Sequence, residues 1–176
     1  VEPRVRERGA RWARIQDEYA FHTKRMAVVR DDLLDALAAV APAEQRVPVF
    51  STVTGRKADP DAFGPDYWAA NMVEPVRFHD AVRAAAVPDA HMILLEIGPH
   101  AVLGAGAARS LDGLVAATTT IASMRSRRDA VRTLLEAAGR LYALGHDIDH
   151  RALQPERGRR VRLPGYQWQR QRYWMP

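Results

Sequence analysis

His91-Met-Ile-Leu-Leu-Glu-Ile-Gly98 is an almost unbroken apolar run, closed by Gly98-Pro99. A strand covered on both faces of a parallel sheet reads this way, because neither face alternates with polar side chains. Working outward, the small apolar stretch 101–110 predicts a helix, and 114–121, rich in Val and Thr, predicts another strand. Residues 128–144 predict an amphipathic helix with Val131, Leu134, Leu135, Ala138, Leu141 and Tyr142 on one side and Gly145 as its stop. Upstream, Val47-Pro-Val-Phe-Ser-Thr-Val53 predicts a buried strand closed by Thr54-Gly55. Residues 67–72 predict a helix that ends before Pro75, and 76–86 a helix stopped at Pro88. In residues 26–40, Val29, Leu33, Leu34, Leu37 and Val40 share a helical face, with Pro42 just beyond. The arginine-rich 3–13 suits an exposed helix, and Trp12, Ile15 and Tyr19 begin an extended segment running to His22. Strands and helices alternate, so the fold class is α/β with a mainly parallel sheet.

The chain has 176 residues, 47% hydrophobic and 27% charged, enough for a real core. It has no cysteine, which excludes a disulfide framework, a thiolate zinc site and a cysteine nucleophile. No segment approaches the roughly 20 unbroken apolar residues of a membrane helix. The charged start, without an initiator Met, is no signal peptide and reads like a cut into a longer polypeptide. The net charge of +5 is uneven: residues 125–176 hold 12 Lys and Arg against 5 Asp and Glu. No recognition helix or RNA platform accompanies that charge, so nucleic acid is not the expected partner. Residues 146–176 change character, with Pro155, Gly158, Pro164 and Gly165 leading into a dense aromatic run, as in a linker that packs on something.

Chemistry centres on Tyr19-Ala-Phe-His22. His22 can be a general base, or it can cap the helix that begins near Met26; the residues alone leave both open. The four serines, Ser51, Ser110, Ser123 and Ser126, all lack the flanking glycines of a G-x-S-x-G nucleophile turn. Gly98-Pro99-His100 reads first as a turn into a helix. Trp68, Asn71, Pro75 and Phe78 form an aromatic cluster with one amide. His146 and His150 lie four apart in a loop-like setting without the glutamate of H-E-x-x-H, and no metal site is expected.

In order, several blocks resemble the C-terminal half of the acyltransferase domain of a type I polyketide synthase with its trailing linker. They are Tyr19–Met26, Val47–Gly55, Tyr67–Phe78, Leu95–Leu103 and Leu163–Trp174. The resemblance implies part of an α/β-hydrolase-like parallel-sheet subdomain. Residues 1–21 would end a small ferredoxin-like subdomain, 22–145 would be the returning part of the large one, and 146–176 the linker. It implies a ping-pong transfer from acyl-coenzyme A, through a serine, to the phosphopantetheine thiol of an acyl carrier protein, with no bound cofactor. His22 matches the family's base. Asn71 matches a position beside the site where a main-chain carbonyl would fix the imidazole tautomer. The serine, the carboxylate-binding arginine and the oxyanion amides would belong to an N-terminal half, so this chain alone would be inactive.

Tyr19 and Phe21 belong to the block that accompanies extender choice. The family pairs Tyr-Ala-Ser-His with methylmalonyl and His-Ala-Phe-His with malonyl; here the block is a hybrid, and bulky Phe21 favours malonyl. Expected partners are the N-terminal half, an acyl carrier protein and the adjoining ketosynthase, in the cytoplasm, with neither nucleic acid nor membrane. The rival is a non-catalytic scaffold fragment of a megasynthase.

Overall fold

The structure is a computed structural model, which describes residues 7, 19–153 and 161–175. Most of the helix expected over 3–13, and most of the extended segment leading to Tyr19, lie outside them. The centre is a parallel pair. β3 (His91–Glu96) lies beside β4 (Ala117–Ala122) in a register running from His91↔Ala117 to Glu96↔Ala122. Parallel neighbours need a long crossover, and α4 (Gly104–Leu111) supplies it. Its inner face is small, with Ala107 and Ser110 buried beside Leu111, so the helix sits close on the sheet. Leu111 and Ile121 are the largest fully buried apolar side chains among the described residues.

Glu96, the last residue of β3, turns its carboxylate onto the start of α4. It accepts from the N–H groups of Val102 (2.8 Å), Leu103 (3.0 Å) and Gly104 (2.9 Å). These are donors that a helix N-terminus leaves unpaired. Their hydrogen bonds, led by Val102, hold the Glu96 carboxyl below its ordinary range. Gly98-Pro99-His100 is thus the turn that lets β3's own carboxylate cap the next helix. Ser123 Oγ accepts from Gly98 N–H at 3.1 Å and ties that turn to β4.

The helix after β4, α5 (Ala130–Ala143), starts where Asp129 accepts from Arg132 N–H at 2.7 Å, and ends before Gly145, whose φ is +91°. Its predicted face is covered only in part. The most buried side chains are Thr133 and Ala137 on the helix that meets β4, and Ala138 and Leu141 are half-buried, while Val131 is 67% and Leu134 51% exposed. Small residues allow close approach to the sheet, so Val131, Leu134, Leu135 and Tyr142 are left exposed among the described residues. β3 is likewise half-covered instead of buried on both faces, with Leu95 exposed.

The strand expected over 47–53 is also corrected. Only Phe50–Ser51 (β1) pairs, antiparallel, with Arg56–Lys57 (β2) in a short hairpin. Pro48 offers no N–H for a ladder, and the turn at Thr54-Gly55 sends the chain straight back. Gly55 has φ +71°, and a Cβ there would lie 2.8 Å from Asp80 Cβ. The hairpin packs on α3 (Phe78–Ala84), which also meets α4.

The remaining helices flank the histidine. A 3-10 helix (Lys24–Val29) runs into α1 (Arg30–Ala36), so residues 26–40 are helical over a shorter span than their periodicity predicts. α2 (Pro65–Val73) starts with Pro65 in its first turn and stops before Pro75, as expected. No described helix is long and apolar enough to cross a membrane.

Candidate active site

His22 lies at the centre of a tight turn with φ +59°. It is gripped twice by the end of α2. Its backbone N–H donates to the Met72 carbonyl at 2.8 Å, and ring Nδ1 lies 3.2 Å from the Glu74 carbonyl oxygen. The C-terminal carbonyls of a helix have no partners within it. Pro75 is why these face His22. A residue before proline is driven to extended backbone, and Glu74 has φ −77° and ψ 151°, which swings its carbonyl off the helix axis. A carbonyl only accepts, so the bond places the proton on Nδ1. Nε2 then carries the lone pair, and no partner occupies it among the described residues. That tautomer can take a proton from a hydroxyl or thiol.

His22 lines a cleft of about 490 Å³. Phe21 and His22 form one side. Leu33 of α1, Leu37 at its C-cap and Val40 beyond form a second, and Trp68, Asn71 and Met72 of α2 a third. α2 is fixed by its aromatics. Trp68 Nε1 donates to the Phe63 carbonyl at 3.0 Å, Phe63 meets Tyr67 edge-on at 4.7 Å, and the Tyr67 hydroxyl lies 2.9 Å from Ser51 Oγ. An Arg30–Asp66 ion pair of 3.4 Å joins α1 to α2 on the outside, where solvent leaves it little energy.

Of the residues singled out in the sequence, Phe21, His22, Trp68 and Asn71 come together at this cleft. Tyr19 does not line it but stacks on Phe21 at 5.3 Å. The carbonyl on Nδ1 belongs to Glu74, three residues past Asn71, whose place is the cleft wall. His22 does not cap the following helix; Thr23 holds the N-cap position. Leu33, Leu37, Val40 and Met72 were legible only as helix faces, and a backbone carbonyl carries no sequence signal.

None of the four serines lines the cleft. Ser110 does touch His79 Nδ1 at 3.0 Å, but its hydroxyl proton goes to the Gly106 carbonyl. His79 must therefore donate, which is the wrong polarity for activating a nucleophile. A second open cleft, about 460 Å³ near residues 44–48 and 57–60, sets Arg46 and Lys57 against Glu44 and Asp59 and holds no histidine. No group of three or more His, Asp or Glu suited to a metal occurs among the described residues.

A family model for the acyl transferase domain matches residues 1–147. The chain belongs to the acyltransferase-domain family of the type I polyketide synthases. This acyltransferase segment is 36% identical over 168 residues to polyketide synthase GfsB of Streptomyces halstedii, covering 95% of this chain and 3% of that protein. It is 35% identical over 168 residues to erythronolide synthase EryA3 of Saccharopolyspora erythraea, covering 93% and 5%. The acyltransferase domain from module 8 of the salinomycin polyketide synthase superposes with a TM-score of 0.74 at 29% identity, over 84% of this chain and 34% of that one. The acyltransferase segment therefore spans a few per cent of these curated relatives and about a third of that solved domain.

Proposed function

We propose that His22 is the general base of an acyltransferase that moves an extender unit, malonyl, from coenzyme A to a carrier-protein thiol. The observation that carries this is the Nδ1 contact with the Glu74 carbonyl, which leaves Nε2 as the lone-pair nitrogen of a cleft-lining residue, without a partner among the described residues. A serine outside this chain would attack the thioester carbonyl while Nε2 takes its proton. Collapse of the tetrahedral adduct would expel the coenzyme A thiolate, which receives that proton, leaving the acyl group on serine. The phosphopantetheine thiol of an acyl carrier protein would then give its proton to Nε2 and attack the acyl-serine. The released serine oxygen is reprotonated by the imidazolium. No bound cofactor is needed.

Phe21 stands beside His22 and is stiffened by its stack on Tyr19. That placement supports a pocket sized against a branch on the extender α-carbon. Among the described residues, no serine, arginine or lysine lines the cleft. In this reading an N-terminal half supplies the nucleophile, the carboxylate-binding arginine and the oxyanion donors, and the segment is inactive by itself.

The uncovered stripe of α5 and the outer face of β3 offer apolar area to such a partner. In this scheme residues 1–21 end a ferredoxin-like subdomain, and 22–145 return through an α/β-hydrolase-like one. Residues 146–176 form a linker whose exposed Tyr166, Trp168, Tyr173 and Trp174 reach toward a ketosynthase. The scheme implies a cytoplasmic protein.

The test is the intact mass of a complete domain carrying this segment after exposure to malonyl-coenzyme A. A malonyl adduct that forms on the native domain and slowly or not at all on His22→Ala supports the assignment. Equal rates remove it.

A further inference from the structure

Thr23 follows the histidine and occupies the N-cap position of the 3-10 helix, with φ −134° and ψ 157°. A threonine there ordinarily turns its hydroxyl forward to accept from an N–H of the helix's first turn. Here no side-chain cap bond forms. Oγ1 points backward and donates to the Ala20 carbonyl at 2.7 Å, across the turn centred on Phe21 and His22. In a four-residue turn, a positive φ at the third position is ordinarily reserved for glycine or asparagine. His22 occupies that position at φ +59° with a full imidazole. A conformation of this kind persists only where its surroundings over-determine it.

We infer that Thr23 is a positioning residue for the acyl transfer, its hydroxyl closing the 20–23 turn so that the imidazole of His22 stays in register with the α2 carbonyls. One side of the turn is held by α2, through Met72 and Glu74. The other side is held by Thr23 and Ala20. Without the second tie, the backbone of His22 can relax toward negative φ, which swings the ring and moves Nε2 from the cleft. The hydroxyl makes this bond and none to the helix, whose Met26 N–H is taken by the Thr23 backbone carbonyl at 3.0 Å.

This inference rests on His22 being the base, and its test separates the two claims. In a complete acyltransferase domain carrying this segment, acylation by malonyl-coenzyme A is followed by rapid quench for the native protein, Thr23→Val, Thr23→Ser and His22→Ala. Rates are taken per folded molecule from near-ultraviolet circular dichroism. Thr23→Ala replaces the valine variant if that does not fold.

The expected result is a kcat about tenfold lower for Thr23→Val with KM for malonyl-coenzyme A unchanged, and recovery to within about twofold in Thr23→Ser. A native kcat in Thr23→Val overturns the inference. So does equal impairment in the serine variant, since the hydroxyl would then not be the cause. A native acylation rate in His22→Ala removes the base assignment itself, and this inference with it.

Discussion

The imidazole of His22 and the carbonyl of Glu74 meet at 3.2 Å, although 52 residues separate them in the chain. The contact fixes which ring nitrogen carries the proton. Replacing His22 by alanine in a complete domain should lower acyl-enzyme formation by on the order of 10²–10⁴-fold, the usual worth of a general base. Stopped-flow or quench measurements of the acyl adduct read this directly.

Pro75 is the cause of that geometry, because it holds Glu74 extended. Pro75→Ala should let α2 continue and withdraw the carbonyl. We expect kcat to fall by roughly tenfold while KM changes little, since the cleft walls stay in place. Steady-state kinetics with malonyl-coenzyme A give the split.

Phe21 should set the extender preference. Phe21→Ser opens the space beside His22 that a methyl branch would fill. One methyl is worth about 1–3 kcal/mol in such a pocket, so the malonyl-to-methylmalonyl ratio should shift by about tenfold or more. Competition between the two thioesters on one enzyme sample measures the ratio. An unchanged ratio would place selection elsewhere.

Glu96 should make stability depend on pH. Its carboxyl is held below the ordinary range by the N–H groups of Val102, Leu103 and Gly104. A depressed folded-state value contributes stability above the unfolded value, and that contribution is lost as pH falls through the folded one. Glu96→Gln should therefore melt lower than native at pH 7. The two should converge in acid, once pH has fallen through the lowered folded-state value. Thermal melts across that range test the sign as well as the size.

Gly55→Ala should destabilise the hairpin. A left-handed backbone disfavours any side chain, and the added Cβ would meet Asp80 Cβ at 2.8 Å. We expect a loss of about 2 kcal/mol or more, read from urea unfolding.

What the sequence disclosed follows from how each feature is encoded. β3 was legible as a strand because a short, continuous apolar run lies between turn residues, although the run overstated its burial, and its partner β4 because parallel strands follow one another through a helix. Pro75 marked the end of α2 for a similarly local reason. The face of α5 was not legible: Val131 and Leu134 are the obvious apolar stripe, yet Thr133 and Ala137 meet β4 because they are small. The hairpin was misjudged because a β-branched run looks alike in a two-residue strand and in a long one. At the site, His22, Phe21 and Asn71 stood out as residue types in order. The carbonyl of Glu74 could not stand out, since every residue has one. The hydroxyl of Thr23 was hidden because a threonine before a helix is ordinarily there to cap it.

The long loop closed between His22 and Glu74 has a consequence for biosynthesis. On a ribosome, the histidine emerges well before the proline-terminated helix that seats it. Until residue 74 has cleared the exit tunnel and α2 has docked, the imidazole has no fixed proton and no fixed direction.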